Sequence, residues 1–195
     1  MENIDLNKLK NDIRQKMSTK RYIHTLGVAE KAKELAIKYK VDLYKVELAA
    51  LLHDVCKEMD KDKLKNICKE KFPNEIDKKA LENTEILHGF VGAVLAQEKY
   101  GIIDNDVLDA IKYHTIGKKS LCLIGRIIYI ADVVEKNRDY PEVYEMRKEV
   151  DKDMDQGIIY SIEKIIAFSK KKEVYIHPNT LEMYEWLKKR RNNEL

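Results

Sequence analysis

The sequence has few residues that break helices and no pattern that is typical of strands. Its 195 residues include only seven Gly and three Pro, whereas 36% are charged and 44% are hydrophobic. A chain so poor in breakers and so rich in Lys, Glu, Leu and Ile favours helices. No regular alternation of apolar and polar residues indicates a sheet, and no repeat or low-complexity linker interrupts the chain. We therefore expect an all-α fold with a single domain over residues 1–195.

The chain also lacks a disulfide framework, an apolar leader and a strong charge of one sign. Cys56, Cys68 and Cys122 form no CxxC pair, which favours small buried side chains in a reducing cytoplasm. The longest apolar run, IGRIIYIADVV, contains two charges and is too short to cross a bilayer. The net charge is only +3, and the basic cluster at 188–191 suits a helix C-terminus. We expect a cytoplasmic protein with no membrane partner and no nucleic-acid polymer as partner.

Apolar residues recur at helical spacing along almost the whole chain. Ser18 and Thr19, Asp42, and Asp104 or Asn105 are typical residues at a helix start. Gly101 is a typical C-terminal stop, and Pro141 suits a first helical position. The spacing predicts helices over approximately residues 4–17, 19–39, 43–54, 60–71, 85–100, 105–114, 120–135, 142–151, 155–171 and 179–191. The segment YIHP at 175–178 is predicted to be a loop.

Several polar residues do not suit the apolar helices in which they lie. A buried polar side chain without a partner costs about 1–3 kcal/mol, and more if it is charged. Taken one by one, each is more often a hydrogen-bonded core residue than a metal ligand. A single metal centre shared by all of them would satisfy them together. The residues are His24 in RYIHTLGV, His53 and Asp54 in ALLHDV, His88 in ILHGFVGA, His114 in AIKYHT and Asp132 in IIYIADVVE.

The types of these residues limit which metal ions could bind. Four His and two Asp, without Cys, suit iron, manganese, cobalt or nickel, and zinc less specifically. Six protein ligands are too many for a tetrahedral structural zinc site. They suit one octahedral ion or two ions bridged by a carboxylate, and Asp54, beside His53, is well placed to bridge. Because such a centre lowers the pKa of a water toward neutrality, it is suited to hydrolysis of a phosphate ester or anhydride.

Three cations lie about one helical turn from a predicted ligand. Arg21 precedes His24, Lys57 follows His53, and Arg138 follows Asp132. Alternatively, each could be a solvated surface charge, because most Lys and Arg side chains are exposed to solvent. Their shared spacing favours phosphate binding instead. Thr115 and Gly117, after His114, give a weak additional signal of a backbone that approaches a phosphate.

The order H, HD, H, H and D on successive helices resembles the HD superfamily of metal-dependent phosphohydrolases. The strings KRYIHTLGV, AALLHDVCKE, LHGFVGA, AIKYHTIG, IIYIADVVEKNRDYP and IHPNTLEMYEWL resemble more closely its YqeK-type branch, the bacterial symmetrical bis(5'-nucleosyl)-tetraphosphatases. The resemblance runs from about residue 8 to residue 188. It implies an HD-domain helical bundle with an iron-containing centre that cleaves diadenosine tetraphosphate into two ADP.

The resemblance also implies roles for individual residues. The residues that would hold metal are His24, His53, Asp54 and Asp132. His88 and His114 would complete the site, either as ligands of a second metal or as phosphate contacts. The residues that would contact phosphates are Arg21, Lys57, Thr115 and Arg138. The loop of residues 175–180, which includes Tyr175 and His177, would close over the nucleotide.

The candidate catalytic residues are Asp54, Lys57 and His114. We expect Asp54 to bridge two ions and to accept the proton of the attacking water. His114 is the candidate that positions the phosphate or protonates the leaving oxygen. Lys57 or Arg138 would stabilise the charge of the departing ADP.

Three other functions stay open at the level of the sequence. The first is another HD phosphohydrolase activity, on guanosine tetraphosphate or on nucleoside mono- and triphosphates. The second is an inert module that binds a nucleotide, and the third is a helical protein in which the metal is a structural staple. In every case the partner is a small molecule or a metal ion. The apolar, tyrosine-bearing helices leave room for a homodimer as well.

Overall fold

The computed structural model describes residues 4–193, and every regular element in that range is an α-helix, which confirms the all-α prediction. The helices are α1 (Leu6–Arg14), α2 (Thr19–Tyr39), α3 (Leu43–Leu52), α4 (Lys61–Lys71), α5 (Lys78–Leu81), α6 (Thr84–Tyr100), α7 (Asn105–Tyr113), α8 (Leu123–Val134), α9 (Val143–Lys152), α10 (Met154–Lys172) and α11 (Pro178–Arg191).

Side-chain caps fix most helix ends at the predicted residues. Ser18, Asp42 and Asp104 accept hydrogen bonds from the first backbone N–H groups of α2, α3 and α7. Gly101 ends α6 in the left-handed conformation with φ 66°. Because α3 ends at Leu52, His53 is its C-cap and Asp54 lies in the turn that follows.

The predicted start of α8 at Ser120 is wrong. Ser120 has φ 58°, a left-handed conformation that does not continue into a helix, and Cys122 is the N-cap instead. Its thiol accepts a hydrogen bond of 3.3 Å from the Gly125 N–H. Cys122 is therefore partly exposed, whereas Cys56 and Cys68 are buried as expected.

Three smaller differences concern short or terminal segments. α1 ends at Arg14, before Met17, and α9 begins at Val143, so that Pro141 precedes the helix. The short helix α5 was not predicted, because four residues are too few for apolar spacing to show.

Five helices enclose the part of the core that carries the predicted ligands. α2 packs against α3 and α8, and α7 packs against α3, α6 and α8. Their shared interior is aliphatic, and Leu51, Ile111, Ile127 and Ile128 have no exposed surface. Each predicted ligand lies on one of these helices or directly after its last turn. This packing brings residues that are distant in sequence to one place.

The last three helices cover the remaining side of α8. α10 packs against α8, α9 and α11, and Arg126 of α8 forms a buried ion pair with Asp155 of α10. The guanidinium of Arg126 also lies 5.5 Å from the ring centre of Trp186 on α11. α10 is thereby held beside α8. None of the described helices combines the length and apolar character needed to cross a membrane.

Candidate metal centre

The structure brings the six predicted ligands together at one end of the helices. His24 Nε2 lies 2.9 Å from Asp132 Oδ1, and His88 Nε2 lies 3.0 Å from Asp54 Oδ1. Two overlapping groups have the spacing of metal ligands, with ligand atoms within 4.8 Å of one another. The groups are His24, His53 and Asp132, and His53, Asp54 and His114.

Asp54 occupies the centre of this cluster. Its Oδ2 is 3.5 Å from His53 Nε2 and 3.7 Å from His24 Nε2. Its Oδ1 faces the other pair of imidazoles, at 3.0 Å from His88 Nε2 and 3.6 Å from His114 Nε2. The two oxygens of one carboxylate therefore face two separate pairs of His side chains.

Backbone carbonyls orient three of the imidazole rings. His53 Nδ1 donates to Ala50 O at 2.6 Å, and His114 Nδ1 donates to Ile111 O at 2.7 Å. His88 Nδ1 lies 3.4 Å from Thr84 O, a longer contact of the same kind. A carbonyl only accepts, so Nδ1 of His53 and of His114 carries the proton, and the neutral form of each ring directs its Nε2 lone pair into the cluster. Metal-binding His side chains are commonly oriented in this way.

Glu135 orients the fourth ring and was missed by the sequence analysis. It is buried, with 1% of its surface exposed, and its Oε1 accepts from His24 Nδ1 at 3.1 Å. The backbone N–H and the side-chain amide of Asn137 donate to its Oε2 at 2.7 and 2.9 Å. A Cβ on Gly27 would lie 2.2 Å from that oxygen, so glycine leaves the space that Glu135 fills. The available signal was a second acid, three residues after Asp132, in the most apolar helix.

The carboxylates of the cluster and the His88 imidazole have protonation states that suit metal ligands. Burial alone would lower the pKa of His53, whereas the Asp54 and Asp132 carboxylates raise it. Burial lowers the pKa of His88 to about 4, so this imidazole is neutral at pH 7. Burial alone would raise the pKa of Asp54, but the neighbouring imidazoles of His53 and His114 hold it well below its usual range. The pKa of Asp132 is likewise lowered, because the contacts with His24 and His53 outweigh its burial. Neutral imidazoles and ionised carboxylates are the forms that bind metal.

Several polar atoms of the cluster face each other at short distances. His88 Nε2 and His114 Nε2 are 2.9 Å apart, and His24 Nε2 faces the Asp132 carboxylate at 2.9 Å. The Nε2 atom of His53 is buried and has no hydrogen-bond partner among the described residues. A cation in the cluster would satisfy these atoms together, because buried polar atoms are otherwise paired. The donor set of imidazole and carboxylate fits a divalent transition metal.

A cavity of about 280 Å³ lies directly beside the cluster. All four predicted phosphate contacts line it, namely Arg21, Lys57, Thr115 and Arg138. Sequence reasoning missed four further lining residues, namely Glu85, Tyr129, Val133 and Ile165. The Thr115 Oγ1 has no hydrogen-bond partner among the described residues, so it is available to a ligand, whereas the Tyr129 hydroxyl interacts with Ser161.

The cations of this cavity are paired with acids. Arg21 Nη1 lies 2.6 Å from Asp54 Oδ2, and Lys57 Nζ lies 2.6 Å from Glu85 Oε2. Arg138 donates to both the side chain and the carbonyl of Asp132, at 2.5 and 2.8 Å. Two of the three cations therefore lie directly on predicted ligand carboxylates, where an anionic substrate would meet both the metal and the guanidinium.

Tyr175 and His177 do not line the cavity. The Tyr175 hydroxyl donates to Asp77 Oδ2 at 2.8 Å, and His177 caps α11 through its Nδ1. Their loop is nevertheless close by, because Thr180 Oγ1 donates to Ile116 O at 2.7 Å, two residues after His114. The role of these two residues as nucleotide contacts was predicted only from the family resemblance, and their positions in the structure give no independent support for it.

Gly89 allows α6 and α7 to approach closely enough for His88 and His114 to meet. An added Cβ would lie 2.7 Å from Lys112 O and 3.1 Å from Ile111 O. We expect Gly89→Ala to lower the free energy of unfolding by about 1–2 kcal/mol in a urea titration. The overpacking costs about 1–3 kcal/mol, which the better helix propensity of Ala offsets only in part.

Gly125→Ala is the matched control for Gly89→Ala. Its Cβ would meet only side-chain atoms of Leu121, the nearest at 2.7 Å, and a side chain can shift more readily than a backbone carbonyl. We expect a smaller loss of stability. Equal stability of Gly89→Ala and the unmodified chain would contradict the tight approach of α6 and α7.

Comparison with known proteins gives consistent matches over nearly the whole chain. The HD domain family matches residues 21–137. The chain is 40% identical to the symmetrical bis(5'-nucleosyl)-tetraphosphatase of Bacillus subtilis, over 90% of this chain and 93% of that protein. It is 38% identical to the Staphylococcus aureus protein of the same name, over 92% of each. A Clostridium acetobutylicum structure, described as a predicted HD superfamily hydrolase involved in NAD metabolism, superposes with a TM-score of 0.90 and 35% identity, covering 95% of this chain and 98% of that one.

Proposed function

Because the chain belongs to the HD domain family, we propose that it is a symmetrical bis(5'-nucleosyl)-tetraphosphatase that cleaves diadenosine tetraphosphate into two ADP. It is a hydrolase that depends on a divalent metal. The observation that carries the proposal is the meeting of four imidazole Nε2 atoms and two carboxylates beside a cavity lined by two Arg and one Lys. The substrate itself follows from the curated relatives, which carry this activity in their names.

The proposed ligands are His24, His53, Asp54, His88, His114 and Asp132. When bound, the metal stabilises negative charge on the phosphate and lowers the pKa of the attacking water. We propose iron as the metal, in one or two ions; manganese, cobalt and nickel suit the same donors. The two oxygens of Asp54, which face different pairs of His, support a bridging role for this carboxylate.

The tautomer of His114 supports the role of ligand over that of acid. Its Nδ1 proton is directed to Ile111 O, so the neutral ring has no proton on Nε2 to give to a leaving oxygen. The low pKa of Asp54 likewise favours bridging over accepting a proton, because such a weak base retains a proton poorly.

The chain's cations bind the phosphates and stabilise the leaving group. Arg21 and Arg138 are held next to Asp54 and Asp132, so they would contact the same phosphate oxygens as the metal does. Lys57 reaches the cavity from the turn after Asp54, and Thr115 offers a free hydroxyl. We propose that Lys57 or Arg138 stabilises the charge of the departing ADP.

Two further parts of the proposal concern the surroundings of the site. Closure of residues 175–180 over the nucleotide requires Tyr175 to leave Asp77, with Thr180 serving as the fixed point. A reducing cytoplasm, which the three free cysteines favour, would keep iron ferrous.

A homodimer is also proposed, and sedimentation of the metal-loaded protein tests it.

Anaerobic incubation with diadenosine tetraphosphate and ferrous iron, with and without a chelator, tests the function. We expect ADP as the only nucleotide product, and loss of at least about 99% of the turnover with chelator, because charge stabilisation by the metal is removed. Chromatography of the products provides the measurement. ATP together with AMP would contradict symmetrical cleavage.

A substrate panel separates the alternatives. Guanosine tetraphosphate and nucleoside mono- and triphosphates are the matched substrates, because the same centre would cleave their phosphate bonds. Faster turnover of any of these than of diadenosine tetraphosphate would replace the proposed substrate. No turnover of any nucleotide by the metal-loaded protein would favour an inert binding module.

A further inference from the structure

A second cavity, of about 400 Å³, adjoins the metal cavity. Three residues line both cavities: Val133, Arg138 and Ile165. The second cavity lies between the end of α8, the segment that leads to α9, and one face of α10. We call it the Phe168 pocket, after the exposed aromatic side chain at its mouth. Its volume is within the range of small-molecule sites.

The wall of the Phe168 pocket is mainly apolar. Val133 and Met146 form its inner side, and Ile165 and Phe168 form the α10 side. Phe168 is 58% exposed and Ile165 is 38% exposed, so both apolar side chains are accessible to a ligand. Ser161, Ile165 and Phe168 are spaced by three to four residues and therefore lie on one face of α10.

A few polar groups complete the pocket. The buried Ser161 hydroxyl lies next to the hydroxyl of Tyr129, with which it interacts. Lys164 and Glu142 also line the pocket. An apolar wall with a small number of separate polar groups is typical of sites that bind a heteroaromatic ring.

We propose that the Phe168 pocket binds one nucleoside of the substrate, with the base stacked on Phe168. This inference rests on the proposed function, because it assigns half of the dinucleotide to a place beside the metal cavity. Arg138 lies on the wall that the two cavities share, so a phosphate chain that passes this guanidinium leads directly into the pocket. Aromatic stacking favours nucleobases in general, and the side chains of Lys164 and Glu142 provide hydrogen bonds for the base edge.

Binding of ADP and of inorganic pyrophosphate to the iron-loaded protein tests the pocket. Both ligands carry a diphosphate, but only ADP carries a nucleoside. We expect Phe168→Ala to weaken ADP about tenfold in anaerobic calorimetry and to leave pyrophosphate within about twofold, because only stacking is removed. Phe168→Trp keeps an aromatic face and is expected to retain ADP binding. With diadenosine tetraphosphate, Phe168→Ala should raise KM and preserve kcat.

Tyr144→Ala is the matched control, since Tyr144 is 61% exposed and lines neither cavity. It should leave both ligands unchanged. Unchanged ADP affinity in Phe168→Ala would overturn the pocket, as would an equal loss for ADP and pyrophosphate. If the unmodified protein fails to cleave the dinucleotide but binds ADP through Phe168, the pocket stands and the proposed function fails. If Phe168→Ala cleaves the dinucleotide normally with unchanged KM, the proposed function stands and the pocket fails.

Discussion

Replacement of Asp54 by Asn is expected to remove bound metal and turnover together. Asp54 is the one carboxylate that faces all four imidazoles of the cluster, through Oδ2 on one side and Oδ1 on the other. An amide of the same shape has one oxygen and no charge, so it can neither bridge nor offset the charge of a divalent ion. We expect a loss of about a thousandfold or more in kcat/KM, comparable to the loss of a major electrostatic group.

The measurement combines elemental analysis after desalting with the assay for ADP release. Asp109→Asn is the matched control, because Asp109 is also an Asp in an ion pair but lies on the surface, 3.0 Å from Lys118. It should retain metal and activity. Circular dichroism of Asp54→Asn should show an intact helical fold, since the aliphatic core does not involve this side chain. Full metal content together with full turnover would contradict the proposed centre.

That these polar residues form one cluster was predictable because each is a polar residue in an apolar helix. His24, His88 and Asp132 stand out from their surroundings, and their burial cost pointed to a shared partner without knowledge of the fold. The cations were predictable from the same pattern, because one helical turn separates Arg21 from His24. Local rules also predicted most helix ends, since a cap such as Ser18 acts through its own neighbours.

Residues whose roles depend on tertiary contacts were not predictable. Glu135 ends an apolar helix, where an acid is usually a surface residue, and its partner His24 is 111 positions away. Phe168 is part of a helix that the sequence placed correctly, but only the packing of α10 on α8 puts its ring beside the metal cavity. The substrate has no local signature at all, because the same donors serve any phosphate bond.

Glu135→Gln is expected to weaken metal binding by about ten- to a hundredfold, although Glu135 is not itself a proposed ligand. Three N–H groups point at this carboxylate, one from His24 and two from Asn137. A glutamine has one accepting oxygen, so its NH₂ group must face a donor on one of the two sides. Either His24 loses its hydrogen-bond acceptor, or Glu135 loses the hydrogen bonds from Asn137 that hold it in place. Hydrogen-bond partners of metal-binding His side chains commonly contribute ten- to a hundredfold to metal affinity.

Competition with a chelator measures the metal affinity directly, and Glu145→Gln is the matched control on α9, where Glu145 pairs only with Lys148 at the surface. Because Glu135 acts through His24, saturating metal should restore most of kcat in Glu135→Gln and leave KM for the nucleotide unchanged. Gly27→Ala should show the same loss of affinity, since its methyl group occupies the place of Oε2. If metal affinity is unchanged while activity is lost, Glu135 contacts the substrate and does not position His24. If both are unchanged, the orientation of His24 depends on packing alone.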